Sequence, residues 1–195
     1  GNEVKTPDEP GHITIRLNRW RAIGLFQEYI DDPEKTNAAF KNNLYFTGDK
    51  ASFDADGYWW FIGRSDDVIK SSDYRVGPFE VESALIEHPA VMEAAVVGTP
   101  DPERYQLVKA YVILAQGYTP SRELALELFK HTINVLAKFK IPRIIQFVTE
   151  LPKTISGKIR RVELREDEEK KKKAESKMEH EYFYHEFPEL SSKKK

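Results

Sequence analysis

The stretches VMEAAVVG (residues 91–98) and LVKAYVILA (residues 107–115) are two nearly continuous apolar runs in the middle of the chain. Runs of this length and composition predict β-strands, and their lack of polar alternation predicts that other elements cover at least one face of the sheet. A third run, RIIQFV (residues 143–148), predicts one more strand. These strands decide the fold class, because helical patterns lie on either side of them in the sequence.

Two helices are predicted around these strands. The first begins at Pro78 and ends before Pro89, since proline suits the first helical turn and cannot continue a helix. The second begins after Ser121, which can cap it. Their apolar faces consist of Val81, Ala84, Leu85 and His88 in the first helix, and of Leu124, Leu128, Phe129, Ile133 and Leu136 in the second. With a β-hairpin predicted from DVIKSS and DYRVG, residues 66–163 form a small α+β domain, a sheet with packed helices.

Residues 1–65 are predicted to be mostly β. HITIRL alternates as a strand does, and LYFTGD and GYWWFIGR give two more strands joined by KASFDAD, where Asp56-Gly57 is a hairpin turn signal. A short helix is predicted at Pro33, with Asp32 as its N-cap. This part therefore differs in composition from the α+β domain that follows it.

Residues 164–195 are predicted to be a charged helical or disordered tail. In EDEEKKKK, four acid-to-lysine pairs stand at i and i+4: Glu166–Lys170, Asp167–Lys171, Glu168–Lys172 and Glu169–Lys173. Each such pair supports an exposed helix by about 0.2–0.5 kcal/mol. A solvated helix is favoured over a binding site for an acidic partner.

The amino-acid composition limits the classes of protein to which this chain can belong. The chain has 195 residues, 40% of them hydrophobic, no cysteine and a net charge of −2. The absence of cysteine excludes disulfides, thiolate metal sites and cysteine nucleophiles. No apolar run approaches the roughly 20 residues of a membrane span, and no secretory signal pattern is present. We therefore expect a cytoplasmic protein, or one of the mitochondrial matrix if the source is eukaryotic.

Three stretches combine acids or bases with glycine at predicted strand ends or loops: YFTGD (residues 45–49), GRSDDVIKSSDYRVGPFEVE (63–82) and PKTISGKIRR (152–161). Asp49 is either a turn aspartate or a carboxylate that accepts hydrogen bonds from two ribose hydroxyls. Arg64 and Arg75 bracket Asp66-Asp67 and serve either an internal salt bridge or phosphate oxygens. Lys158 follows Ser156-Gly157, and it is either a solvated charge or a cation that reaches an anion formed elsewhere. The chain lacks the glycine-rich phosphate loops and the metal-binding HExxH motif, so no metal site is predicted.

Taken in order and at this spacing, the three stretches resemble the closing motifs of the adenylate-forming enzymes: acyl-CoA synthetases, peptide-synthetase adenylation domains and luciferases. The stretch from Asp66 to Gly98 resembles most the medium-chain acyl-CoA synthetases and their acetyl-CoA synthetase relatives. The resemblance implies that residues 1–65 end a large AMP-binding domain and that residues 66–163 form its C-terminal lid domain. It also implies a ligase that uses Mg-ATP and coenzyme A to turn a carboxylic acid into an acyl-CoA through an acyl-adenylate.

The resemblance also implies roles for individual residues. Asp49, Arg64 and Arg75 would contact the nucleotide, and Lys158 would be the adenylation lysine. Asp66 would be the hinge of the lid. The path of coenzyme A would be lined by Ser72, Asp73, Tyr74 and Arg104. The phosphate loop, the adenine and acyl pockets and any metal ligands would belong to a separate N-terminal large domain, so we expect the chain to be inactive alone.

Two positions depart from the family pattern. Asp73 and Tyr105 stand where the family usually has glycine, and Asp73 adds bulk and negative charge beside an anionic ligand. Two other function classes stay open at this stage. One is a non-catalytic binding or interaction module that reuses the lid fold. The other, ranked last because the charge runs are mixed in sign, is a nucleic-acid binder.

Overall fold

The computed structural model describes residues 2–18, 22–174 and 178–190. The chain divides into two compact units, Gly1–Asp66 (unit 1) and Asp67–Lys195 (unit 2). Both contain helices and sheets, so the predicted α+β class is confirmed.

Unit 1 is an antiparallel sheet built around its longest strand. The elements are β1 (Gly11–Arg16), α1 (Pro33–Ala39), β2 (Phe40–Lys41), β3 (Leu44–Phe53) and β4 (Trp59–Arg64). Strands β1, β2 and β4 each pair with β3. Helix α1 begins as predicted, because the Asp32 carboxylate accepts a hydrogen bond from the Lys35 amide at 2.9 Å.

Strand β3 is longer than predicted, because it continues into the segment predicted as a connection and ends at Phe53. In its second half, Ala51 is buried, whereas its neighbours Lys50 and Ser52 are partly buried. The predicted turn at Asp56-Gly57 is present, and the Asp54 carboxylate stabilises it by accepting from the amides of Asp56 and Tyr58. Gly57 has a φ of +85°, a conformation that glycine adopts readily.

Unit 2 is a six-stranded sheet centred on the second apolar run. Its strands are β5 (Ile69–Ser71), β6 (Tyr74–Val76), β7 (Val91–Asp101), β8 (Tyr105–Leu114), β9 (Ile144–Phe147) and β10 (Glu181–Phe183). Its helices are α2 (Pro78–Ile86), α3 (Arg122–Val135) and α4 (Arg161–Ala174), with 3-10 turns at Tyr184–Glu186 and Pro188–Leu190. Strand β7 pairs antiparallel with one edge of β8. The other edge pairs in parallel with β9. At Tyr105 the same edge pairs antiparallel with Ser71 of β5.

Both faces of this sheet are covered, which explains the continuous apolar runs. Alternate residues of β7 and β8 point to opposite faces. One face holds Val96, Val108, Ala110 and Val112 in a core with residues of α2 and α3. The opposite face holds Val97, Tyr111 and Ile113 in a second core with Leu151 and with Leu164 of α4.

The predicted helix starts of unit 2 are confirmed. Helix α2 has Pro78 in its first turn. The Ser121 hydroxyl accepts from the Leu124 amide at 3.1 Å at the start of α3. The predicted hairpin is also present, because β5 and β6 pair antiparallel across Ser72 and Asp73.

The segment predicted as a solvated tail differs from that expectation. Residues 161–174 do form a helix, but Glu168 is buried against the sheet and binds Lys109 instead of facing solvent beside Lys172. Farther along, β10 extends the sheet by pairing with β9, and Phe187 is buried in the core of the α2–α3 face. The sequence did not predict this packing because the helix turns charged side chains toward the sheet, where they pair with charged side chains of the strands. Its buried face therefore has no apolar stripe that periodicity could detect.

Candidate functional site

Asp49, Arg64 and Asp66 come together in unit 1. Asp49 and Arg64 lie opposite each other in the β3–β4 pair. The Arg64 guanidinium reaches the Asp49 carboxylate at 3.5 Å and the Asp66 carboxylate at 3.4 Å, and it donates to the Thr47 carbonyl at 3.0 Å. An internal Arg–Asp salt bridge, one of the two readings of this sequence, is therefore present. About half of the Arg64 side-chain surface (51%) nevertheless stays exposed, so a ligand can still reach it.

Gly48 makes this arrangement geometrically feasible. Its φ is +87°, and a Cβ atom placed on it would lie 2.7 Å from an Arg64 Nη atom. Only glycine leaves room for the guanidinium to lie against the backbone at this point. The glycine of the YFTGD stretch is thus explained by close approach of a side chain.

The predicted coenzyme A residues gather at one end of the sheet in unit 2. Ser72 lies in the β5–β6 turn, and its amide donates to the Arg104 carbonyl at 2.8 Å. Tyr74 stacks on Phe139, with ring centroids 4.4 Å apart and planes inclined by 12°. The structure therefore brings Ser72, Asp73, Tyr74 and Arg104 into one neighbourhood, with one aromatic partner that the sequence analysis did not single out.

A further cation lies near this group. Burial lowers the pKa of the half-buried Arg143 guanidinium, and the charge of Arg104 lowers that pKa further, although Tyr184 opposes the effect. Arg143 also lies over the ring of Tyr184, with its guanidinium carbon 4.6 Å from the ring centre. Sequence reasoning missed Phe139 and Arg143. The stretch KFKIPR (residues 138–143), in which aromatic and basic residues mix, was the available signal.

Asp73 and Tyr105, the two residues that depart from the family pattern, differ in backbone conformation. Asp73 has an ordinary negative φ, whereas Tyr105 has a φ of +68°. A left-handed backbone favours glycine, so Tyr105 is conformationally costly while Asp73 is not. Both side chains are exposed.

Arg75 is exposed on β6, and its guanidinium donates to the Tyr74 carbonyl at 3.3 Å. It belongs to unit 2, whereas Asp49 and Arg64 belong to unit 1. Asp67 stands between Arg64 and Arg75 in the sequence but forms an ion pair with neither of them. It contacts Arg161 and Arg165 of α4 instead.

Lys158 projects from a tight loop in unit 2. The Thr154 amide donates to the Lys158 carbonyl at 2.8 Å, the Lys158 amide donates to the Thr154 hydroxyl at 3.0 Å, and a β-bridge joins Lys153 to Ile159. Gly157 lies within this loop with a φ of +81°. The backbone that carries the lysine is therefore well ordered by its own hydrogen bonds.

The two lysines of this loop differ in their surroundings. The Lys153 ammonium binds the Glu93 carboxylate at 2.7 Å. Lys158 is exposed, and no carboxylate of residues 2–18, 22–171 or 178–190 forms an ion pair with it. The Lys158 ammonium is thus able to meet an external anion without first losing an internal partner.

Across the described parts of the chain, no group of three or more His, Asp or Glu side chains could hold a metal ion, and no helix is long and apolar enough to cross a membrane.

Comparison with known proteins relates these features to a family. The sequence profile of the AMP-binding enzyme C-terminal domain matches residues 80–158. A 4-hydroxybutyrate–CoA ligase of Metallosphaera sedula is 60% identical over 184 residues, which cover 94% of this chain. The chain belongs to the adenylate-forming enzymes.

Other relatives of this chain include acyl-CoA synthetases. The mitochondrial acyl-coenzyme A synthetase ACSM4 of Mus musculus is 56% identical over 86% of this chain. The chain spans only about a third of each relative, namely 32% of the Metallosphaera sedula ligase and 29% of the mouse enzyme.

Solved structures agree with this membership. The anthranilate CoA ligase AuaEII, solved with anthranoyl-AMP, matches with a TM-score of 0.74 and 42% identity over 85% of this chain and 31% of its own. The o-succinylbenzoate CoA synthetase of Bacillus subtilis, solved with its acyl-adenylate intermediate, matches with a TM-score of 0.71 and 31% identity, over 84% of this chain and 32% of its own. The chain thus corresponds to a C-terminal part of acyl-CoA synthetases.

Proposed function

We propose that this chain is the C-terminal portion of an AMP-forming acyl-CoA synthetase and supplies the lysine for its first half-reaction. The exposed ammonium of Lys158 carries this proposal, because it is held on an ordered loop and forms no ion pair with a carboxylate among the residues that the structure describes. The matching acyl-CoA ligases support the reaction class.

In the first step, an oxygen of the substrate carboxylate attacks the α-phosphorus of ATP, and the bond to the pyrophosphate oxygen breaks. Negative charge grows around the α-phosphate as this happens, and the Lys158 ammonium would stabilise it. A preorganised charge of this kind is typically worth about 10²–10³-fold in rate. Bound Mg²⁺ would neutralise phosphate charge, with ligands from outside this chain.

In the second step, the thiol of coenzyme A attacks the acyl carbon, loses its proton and expels AMP. We assign Ser72, Asp73, Tyr74 and Arg104 to the path of coenzyme A, because the structure gathers them at one end of the sheet. Arginine suits phosphate groups through its planar fork of donors.

We assign the nucleotide to Asp49, Arg64 and Arg75. The Asp49 carboxylate would accept hydrogen bonds from the ribose hydroxyls. The Arg64 guanidinium would contact the nucleotide, and the Arg75 guanidinium would contact the ATP phosphates. Asp66 would be the pivot that changes the position of unit 2 between the half-reactions, since it is the last residue of unit 1. This swing would withdraw Lys158 before the thiol arrives.

The remaining parts would come from a large N-terminal domain that holds the phosphate cradle and the acyl pocket. We therefore expect the chain alone to be inactive. We place the complete enzyme in the cytoplasm, or in the mitochondrial matrix of a eukaryote, since several relatives are mitochondrial.

A chimera tests the proposal. The Metallosphaera sedula ligase, with its C-terminal third replaced by this chain, should release pyrophosphate from ATP in the presence of 4-hydroxybutyrate. Replacing Lys158 with alanine should reduce acyl-adenylate formation by about 10²-fold or more. Thioester formation from supplied acyl-adenylate should be largely spared.

Lys153→Ala is the matched control, because it removes the same charge from the same loop where Glu93 neutralises it. It should lower acyl-adenylate formation by less than about threefold, since a surface ion pair contributes little. Near-normal acyl-adenylate synthesis by the Lys158→Ala chimera would refute the lysine assignment. A folded chimera that releases no pyrophosphate would favour a non-catalytic module.

A further inference from the structure

Arg161 begins helix α4, three residues after Lys158, and lies in a partly buried cluster of charges. Its guanidinium donates to both oxygens of the Glu82 carboxylate, at 2.9 Å and 2.6 Å from Nη2 and at 3.1 Å from Nε. Such forked contacts fix both the direction and the rotation of an arginine side chain. The first turn of α4 is therefore anchored to α2.

Glu82 is itself held in place. The side chain is only 7% exposed, and one of its oxygens also accepts from the Val96 amide of β7 at 2.8 Å. A buried carboxylate is stable only when its oxygens are fully hydrogen-bonded. Arg161 thus joins three elements of unit 2 through one carboxylate.

The same cluster reaches the first residue of unit 2. The Asp67 carboxylate lies 3.7 Å from Arg161 Nη1 and also accepts from Arg165, one turn farther along α4. Asp67 follows directly on Asp66 in the chain, and its side chain is only 12% exposed. The cluster therefore connects the segment next to the proposed pivot with the helix that follows the lysine loop.

The charges in this cluster stabilise one another. Burial alone lowers the pKa of the Arg161 guanidinium, but the hydrogen bonds and charge of Glu82 and the charge of Asp67 outweigh it, so that the pKa is raised. A backbone hydrogen bond also joins the two ends of the lysine loop, since the Arg160 amide donates to the Pro152 carbonyl at 2.8 Å.

We propose that Arg161 is a positioning residue for Lys158, and that its contacts with Glu82 and Asp67 make the lysine loop move as one body with the start of unit 2. The inference rests on the proposed role of Lys158 in adenylation. A swing at Asp66 places the ammonium correctly only if the connection between pivot and loop is stiff. Misplacement of a catalytic group by about 1 Å can cost roughly 10²-fold in rate.

The test uses the active chimera described above and the variant Arg161→Met. The matched control is Arg160→Met, which removes the same charge one residue nearer to Lys158, from an exposed side chain that forms an ion pair with Glu163. We expect Arg161→Met to lower kcat for acyl-adenylate formation by about 10–100-fold, with the KM for ATP changed less than threefold. Arg160→Met should stay within about threefold of the parent, as an exposed pair contributes little.

Three further measurements separate positioning from general loss of structure. Thioester formation from supplied acyl-adenylate should stay within about threefold in Arg161→Met, since that step needs the lysine withdrawn. Amide hydrogen exchange of Gly157, Lys158 and Arg160 should become faster, while amides of β8 stay protected. Glu82→Gln can keep the bond from Val96 but loses the charge, so it should reproduce the kinetic defect, and the double variant should be no worse than Arg161→Met alone.

Equal losses in both half-reactions, or an unchanged kcat for adenylation in a folded Arg161→Met chimera, would overturn the proposal. These outcomes differ from failure of the proposed function. In that case the parent chimera would be inactive, or Lys158→Ala would leave acyl-adenylate formation intact.

Discussion

Replacing Lys109 with methionine is the sharpest test of how unit 2 is held together. Lys109 lies on β8 with its side chain fully buried (0% exposed). Its ammonium binds Glu168 of α4 at 2.8 Å and also contacts Glu181 of β10, two carboxylates that are 5% and 6% exposed. Methionine keeps most of the volume of the side chain and removes the charge.

The expected loss follows from what the substitution leaves behind. Glu168 and Glu181 would lose the buried ammonium that binds them both, and the partly exposed Lys171 would still pair with Glu168. Breaking a buried pair by removing one partner costs about 3–5 kcal/mol. With a urea dependence of about 2 kcal/mol per M, a loss of about 4 kcal/mol lowers the unfolding midpoint by about 2 M. Lys171→Met is the matched control, because Lys171 binds Glu168 at 3.1 Å but remains partly exposed. Its loss should stay below about 1 kcal/mol.

Two optical signals separate the two units during urea unfolding. Trp59 and Trp60 lie on β4 of unit 1, and the sequence has no tryptophan after residue 60, so fluorescence follows unit 1 and not unit 2. Helices α2, α3 and α4 belong to unit 2, so circular dichroism at 222 nm follows mainly that unit. The substitution should shift the dichroism midpoint at pH 7 and leave the fluorescence midpoint in place.

A Lys109→Met midpoint within about 0.5 M of that of Lys171→Met would refute the reasoning. A rescue variant checks the cause. Adding Glu168→Gln and Glu181→Gln to Lys109→Met should recover part of the loss, since buried charge without a partner is then absent. If the triple variant is less stable than Lys109→Met, lost packing and not unpaired charge explains the effect.

Three further predictions concern pH, the nucleotide and coenzyme A. Burial raises the pKa of Glu168, but the charge and hydrogen bond of Lys109 outweigh this effect and lower the pKa overall. Glu168 therefore stabilises unit 2 above about pH 4.3, the pKa of the unfolded state, and this stability is lost as the pH falls through the lower pKa of the folded state. Urea unfolding between pH 7 and pH 3 should show a loss of stability that Glu168→Gln lacks. Gly48→Ala should displace the Arg64 guanidinium and cost unit 1 about 1–2 kcal/mol, measured by tryptophan fluorescence, and should raise the KM for ATP of the chimera, whereas an unchanged KM would exclude Arg64 from the nucleotide site. Asp73→Gly should raise thioester yield from supplied acyl-adenylate by removing charge and bulk beside coenzyme A, and an unchanged yield would show that Asp73 does not obstruct this path.

Much of the fold could be predicted because its signals are local. A capping side chain or a first-turn proline acts within one helical turn, which is why the starts at Asp32, Pro78 and Ser121 were predicted correctly. The strands β7 and β8 were predicted correctly because their runs are too apolar for any exposed element. The family was recognisable for a related reason, since its motifs are short and ordered along the chain.

The candidate site was only partly predictable. Phe139, which stacks on Tyr74, stands far from it in the sequence, and nothing local marks the pair. The run of acids and lysines in α4 has a clear local interpretation as exposed pairs, but it does not reveal that Glu168 faces a buried lysine of β8.

The sequence by itself determined strands such as β7 and β8, the starts of α1, α2 and α3, the α+β class and the family, because each depends on neighbours within a few residues. Only the tertiary structure decided which charges meet. It pairs Lys153 with Glu93, leaves Lys158 exposed and clamps Arg161 between Glu82 and Asp67. The physical reason is that an ion pair needs only proximity in space, so its partner can stand at any distance along the chain.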